Sequence, residues 1–192
     1  MILASKSPRR KEILTNFGFN INIITENIDE YSDKKKIVDQ VKEISYKKAK
    51  IISLKYKNEF ILAADTVVIY KKHLLGKPKS DDEAFNVLKK LSGKWHKVIT
   101  AYTLINESKN IEITNYDLTK VKFNKFSDVD IKWYISTKEH CDKAGSYGIQ
   151  GKGVFMVQKI KGDFYNVMGF PISKFIRDLS KIGYTVNEIS KI

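Results

Sequence analysis

At 192 residues, 42% of them hydrophobic and 11% aromatic, the chain can bury the core of one domain, which excludes a disordered protein. The net charge is +13, yet only three of the 35 basic residues are arginines (Arg9, Arg10 and Arg177). Base readers and phosphate clamps favour arginine's planar fork, so lysines dispersed along the chain read as a solvated surface and argue against a nucleic-acid partner.

Residues 2–4 read as a short buried strand. Ser7-Pro8 then supplies an N-cap and a first-turn proline for a helix with Ile13, Leu14 and Phe17 inward, closed by Gly18. Alternation over residues 19–25 predicts a strand. From about Val38 to Tyr56, apolar and small residues (Val38, Val41, Ser45, Ala49, Ile52) recur at helical spacing with lysines outside. Residues 60–70 are apolar on both faces, the pattern of a central strand covered on both sides.

Ser80 and Glu83 have capping-box spacing, opening a helix that buries Ala84, Phe85, Leu88 and Leu91 and ends at Gly93. Two strands, 95–105 and 111–126, follow with a turn near Asn106. Ser127 caps a helix carrying Ile131, Trp133, Tyr134 and Ile135. A glycine-rich loop over 144–153 precedes a strand at 154–160, and Pro171 opens a last helix towards Ile182. Helices alternate with strands that also form hairpins, so the fold class is α/β with a mixed sheet. No linker divides the chain, so residues 1–192 are expected to form a single domain.

The lone cysteine, Cys141, excludes an intrachain disulfide and suits a reducing compartment. No run approaches the ~18 apolar residues of a membrane helix. The start is too short for a signal peptide, and its Arg9-Arg10-Lys11 cluster lies on the wrong side of the apolar residues. The expected location is the cytoplasm, without a membrane partner.

Two places carry chemistry. Ser5-Lys6-Ser7-Pro8-Arg9-Arg10 lies between a strand and a helix N-terminus, where free N–H groups and the dipole attract anions. Two hydroxyls and two arginines there could hold a phosphate chain, although the same run also describes a capped helix with exposed arginines. Asp65 stands in the middle of the apolar strand, where a carboxylate is costly unless a cation or backbone donors pair with it. Other residues signal less on their own. Lys77 follows Gly76 in a turn, Lys48 is one lysine of many on the long helix, and Asp29-Glu30 could bind a metal or be solvated. Gln150, in the glycine-rich loop, carries the donor and acceptor that a base edge needs. His73, His96 and His140 show no zinc-like spacing.

Together these residues resemble the Maf family. The matching runs are Leu3-Ala4-Ser5-Lys6-Ser7-Pro8-Arg9-Arg10-Lys11-Glu12-Ile13-Leu14, Ala64-Asp65-Thr66-Val67-Val68 and Leu75-Gly76-Lys77-Pro78. Leu91 to Ala101, Asp142 to Gly151 and Val167 to Ile172 follow in the family's order. The resemblance implies a long twisted mixed sheet flanked by helices, with two lobes around a cleft, similar to the inosine triphosphate pyrophosphatases. It implies cleavage of nucleoside triphosphates between the α and β phosphates with Mg²⁺ or Mn²⁺, and often a homodimer. Asp65 falls on the position of the proton acceptor, and with Glu30 it would hold the metal. Arg9, Thr66 and Gln150 fall on positions linked to substrate choice. Ser5, Arg10, Lys48 and Lys77 fall on others that matter in the cleft. The paired arginines and the Tyr147–Gly151 run are similar to the branch acting on dTTP and UTP. The family is also associated with inhibition of septum formation, which leaves a division-control binding protein as an alternative.

Overall fold

The computed structural model describes residues 1–191. Strand β1 (Ile2–Leu3) lies between two parallel partners, β2 (Asn22–Ile23) and β3 (Ile61–Tyr70), with Ile2 opposite both Asn22 and Ile61. Parallel neighbours need crossovers. Helix α1 (Pro8–Asn16) lies between β1 and β2, and α2 (Ile37–Ser53) between β2 and β3. Strand β4 (His73–Leu75) folds back antiparallel on β3 through Lys71-Lys72.

Helix α3 (Asp81–Leu91) leads to the two longest strands, β5 (Trp95–Asn106) and β6 (Ile111–Phe123), joined by a turn at 107–110. Helix α4 (Asp128–Ser136), β7 (Val157–Lys161), α5 (Phe164–Met168) and α6 (Ile172–Lys181) follow, with a 3₁₀ turn at Val186–Lys191 after them. The sheet has seven strands in the order β2-β1-β3-β5-β6-β7, with β4 on β3. Its parallel and antiparallel pairs make it mixed, as the alternation of patterns requires. No helix of the described residues is long and apolar enough to cross a membrane.

Capping explains where helices begin. Ser80 Oγ accepts the Glu83 N–H, and Ser127 forms a reciprocal box with Asp130. Ser7 occupies the N-cap of α1 with Pro8 at its first turn, but its side chain makes no cap bond. Several predicted bounds shift. The 19–25 strand contracts to Asn22–Ile23, and the 111–126 strand ends at Phe123. The 154–160 strand begins only at Val157, because residues up to Met156 coil as a 3₁₀ turn. Phe85 is half-buried, at the edge of the α3 inner face, while Ala84, Leu88 and Leu91 are buried.

The chain forms two compact units. Unit 1 comprises Met1–Asp65, Thr100–Asp117 and Gly169–Ile192. In it Ala49 and Ile52 of α2 pack on Ile2, Ile61, Ala63 and Ile105. The alternate residues of the same strands face an aromatic cluster in which Tyr102, Phe170 and Phe175 meet within 5.8 Å. Tyr102 donates a 2.5 Å hydrogen bond to Asp178, which also accepts from Asn115 and Lys181. Burial alone would raise the Asp178 pKa. The bonds from Lys181, Tyr102 and Asn115 outweigh it and hold the carboxyl below its usual value.

Unit 2 comprises Thr66–Ile99 and Leu118–Met168. Its core gathers Ala84, Leu88 and Leu91 of α3 and Ile131, Tyr134 and Ile135 of α4 around Val68, Val98, Val121 and Phe123. The alternate residues on these strands point away from that core.

Candidate active site

In unit 1 the end of β1 and the first turn of α1 bring Ser5 and Arg10 together. Arg10 Nη1 donates to Ser5 Oγ at 2.8 Å, and its Nε donates to the Gly169 carbonyl at 2.9 Å. Ser5 is buried, and its hydroxyl also accepts the Ser7 N–H at 3.3 Å. The guanidinium is thus fixed by a side chain five residues away and a backbone carbonyl 159 residues away. Burial lowers the Arg10 pKa; the negative charges of Asp65 and Glu30 oppose that shift, and Arg9 adds to it. Arg10 remains a cation, since arginine does not deprotonate in proteins.

The second cluster of unit 1 is centred on Lys48. Helix α2 buries Ser45, Ala49 and Ile52, and Lys48 borders that face. Its Nζ lies 2.8 Å from Asp65 Oδ1 and 2.8 Å from Glu30 Oε1. The Asp65 and Lys48 side chains are only 15% and 16% exposed, whereas Glu30 is exposed. The carboxylate that the apolar strand made costly is therefore compensated by a lysine, and Glu30 reaches the same ammonium from outside. This charge-assisted pair holds Asp65 in one place, which a reacting group requires. Glu30 does not follow a strand end directly. It stands in the irregular stretch between β2 and α2.

Arg9 is half-buried on α1. Thr66, half-buried, is the first residue of unit 2 and continues β3. Lys77 is exposed after β4, and Gln150 is half-buried between two 3₁₀ turns, Ala144–Ser146 and Gly151–Met156. The structure brings the loops of Lys77 and Gln150 together: the Gly145 N–H donates to the Gly76 carbonyl at 3.0 Å.

The glycine-rich segment is more built than a loop. Residues 145–149 are buried, and the Gly148 N–H donates to Tyr134 Oη at 3.0 Å. A Cβ at Gly153 would fall 2.2 Å from the Gly148 carbonyl oxygen, so the turn that positions Gln150 closes only with glycine there.

The family model described as Maf-like protein matches residues 1–182. This chain belongs to the Maf family. A Maf relative from Fusobacterium nucleatum named dTTP/UTP pyrophosphatase is 54% identical over 192 residues, covering 100% of both chains. Relatives of the same name from Pyrococcus abyssi and Pyrococcus furiosus are each 46% identical, covering 96% and 98% of this chain and the same shares of their own. Among solved structures, the Staphylococcus aureus Ham1 protein aligns with a TM-score of 0.42 and 13% identity, covering 64% of this chain and 70% of that one.

Within the Maf match, one contributor had no role in the sequence reading. Gly169 lies in the Val167–Ile172 run, and its carbonyl is the second anchor of Arg10. Its φ of 119° marks a conformation that favours glycine. The signal available in sequence was only a glycine before Phe170-Pro171, and nothing local connects it with Arg10.

Proposed function

We propose that this Maf chain hydrolyses dTTP and UTP to the nucleoside monophosphate and pyrophosphate, as one functional domain in the cytoplasm. The observation that carries the reading is the unit 1 cluster: a fixed guanidinium at Ser5, and a half-buried carboxylate, Asp65, held by Lys48. The names of the relatives support the substrate class. In this reading Asp65 accepts a proton from, or orients, the attacking water. Arg10, Lys48 and Lys77 contact phosphate oxygens, and Ser5 keeps Arg10 aligned. Arg9, Thr66 and Gln150 select the base.

The donor set also bears on a metal. Asp65 and Glu30 offer two carboxylates that approach one cation, Lys48, at 2.8 Å each. No group of three or more metal-ligating side chains occurs among the described residues. Mg²⁺ and Mn²⁺ prefer oxygen donors, and Mg²⁺ is commonly held by one or two carboxylates together with water and substrate phosphates, so this pair fits. When bound there, the ion would neutralise charge on the phosphate oxygens. The protein's own part is positioning and electrostatics.

The test is a panel of dTTP, UTP, ATP and GTP with Mg²⁺ or Mn²⁺, scored for pyrophosphate. The expected kcat/KM for dTTP and UTP exceeds that for ATP and GTP at least about tenfold, or about 1.4 kcal/mol. Equal values for a purine triphosphate would remove the pyrimidine preference. No pyrophosphate from any of the four would remove the activity itself.

A second measurement separates the phosphate contacts from the diffuse +13 charge. Arg10→Gln or Lys77→Gln should each lower kcat/KM for dTTP by about 10–100-fold, the value of one charge-assisted contact. Neutralising Lys55 and Lys57 together should change little. Lys55 is an exposed partner of Glu26 at 2.6 Å, and such charges are screened. Equal losses in the distant pair would assign substrate capture to the overall field.

A further inference from the structure

Unit 2 gathers its core against one face of its strands, and around Trp95 the opposite face carries exposed lysines. On β5, His96 and Val98 turn into the core, so Trp95 and Lys97 alternate outward; on β6, Val121 turns inward and Lys120 outward. There Lys71, Lys97, Lys120 and Lys161 line, with Trp95, a pocket of about 350 Å³. Register sharpens the point. Lys120 stands directly opposite Lys161 in the β6–β7 pair, an arrangement of like charges that destabilises a sheet. No carboxylate pairs with any of the four lysines among the described residues, and none lines the pocket. Lys161 Nζ lies 5.4 Å from the centre of the Trp95 ring, which is 38% exposed.

Four uncompensated ammonium groups around one concavity call for a counter-anion with several charges. We infer that this pocket is a second anion site, independent of the Asp65 cluster, for a small phosphoanhydride: inorganic pyrophosphate or the polyphosphate end of a nucleotide. The volume falls within the range of small-molecule pockets. The lysines act as mobile point charges that can gather around phosphate oxygens, and Trp95 offers a flat face on which a nucleotide base can stack. A second copy of the chain is disfavoured here, because it would bring another +13 molecule to the same face. Nucleic acid is disfavoured because the lysines converge on a pocket instead of tracking along a stripe. His96 adds no charge: it is buried, and burial lowers its pKa to about 4.

Trp95 provides the readout. Trp133, the other tryptophan, is 52% exposed and packs on Phe155 at 5.6 Å, so Trp133→Phe keeps that contact and leaves Trp95 as sole reporter. Imidodiphosphate and α,β-imido-dTTP, neither cleaved at that linkage, are titrated into this variant, with equilibrium dialysis counting bound imidodiphosphate. The expected result is a saturable change in Trp95 emission. Adding Lys120→Gln and Lys161→Gln should raise Kd at least about tenfold, as two charge-assisted contacts are lost, and should remove one bound equivalent. Adding Arg10→Gln should leave the Trp95 signal unchanged, whether or not the activity proposed above holds. The tighter of the two probes identifies the source of the phosphate. In probe-free buffer the double lysine variant should melt at a higher temperature, since cross-strand repulsion is relieved. Binding unaffected by the lysine changes, or lost through Arg10 alone, would overturn the inference. So would a response to a short DNA duplex with none to either small anion, which would make the surface a nucleic-acid contact.

Discussion

Asp65→Asn is expected to lower kcat for dTTP by about 10³-fold, within the range for loss of a general base and equivalent to about 4 kcal/mol in the barrier. Asparagine preserves the shape of the side chain, and its Oδ1 can still accept the bond that Lys48 Nζ makes to Asp65 at 2.8 Å. Lys48 also keeps Glu30 at 2.8 Å, so the substitution leaves no unpaired ammonium. The fold should therefore survive, and the melting temperature should change little. What disappears is the negative charge, the one property that takes a proton from water or binds a divalent ion. Pyrophosphate release and a thermal melt on the same preparation separate the two effects. A variant retaining more than about a tenth of wild-type turnover, a loss under about 1.4 kcal/mol, would show that Asp65 is not the proton acceptor.

Asp65 was legible because its signal is a conflict between neighbours in sequence: a carboxylate inside an apolar strand must find a partner. The partner was harder to see. Lys48 lies three residues after Ser45 and four before Ile52, so helical spacing already places it beside the buried face of α2. Among so many lysines that spacing did not stand out. Glu30 has no periodicity around it, and its approach to Lys48 is set by the path of the chain between β2 and α2. The Arg10–Gly169 bond joins residues 159 apart, and no local pattern encodes such a contact.

The fold divides in the same way. Helices α3 and α4 begin where Ser80 and Ser127 announced them, because a cap is a local bond. Helix α5, five residues with no cap signal, was not foreseen. The strand expected from residue 154 starts three residues late. Gly151 has a φ of 62°, and Gly153 meets Gly148 so closely that the chain coils there before extending. Backbone-on-backbone fits of this kind leave only glycine as a trace in the sequence. The lysine pocket is a further case. Lys97, Lys120 and Lys161 are unremarkable singly, and only strand register sets Lys120 opposite Lys161.

His96 should make stability depend on pH in a way that a single substitution removes. Its ring is buried against Phe123 and Tyr147, with centroids at 4.7 Å and 5.3 Å. Nε2 is hydrogen-bonded to Tyr147 Oη at 2.7 Å, and Nδ1 has no hydrogen-bond partner among the described residues. Protonation would place an N–H carrying positive charge in that apolar surrounding, so burial lowers the pKa from 6.5 to about 4. In the unfolded chain the imidazole keeps its ordinary value. Between the two values the unfolded state binds a proton that the folded state refuses, and stability falls as pH falls. The contribution is fully present above the unfolded pKa and is lost on the way down to the folded one, at a total cost of about 3 kcal/mol. Urea unfolding at about pH 8 and about pH 4.5 should show most of that loss, about 2–3 kcal/mol, in wild type. His96→Gln cannot titrate in this range and retains an amide able to bond Tyr147, though it gives up the ring contacts and should be less stable at pH 8. The quantity to compare is the pH-dependent loss in wild type minus that in the variant. The subtraction cancels every other titrating group, since both proteins share them. A difference near 2–3 kcal/mol is expected from the neutral buried ring. A difference near zero would mean that His96 titrates alike in both states, and a difference of opposite sign would mean that it is already charged in the fold.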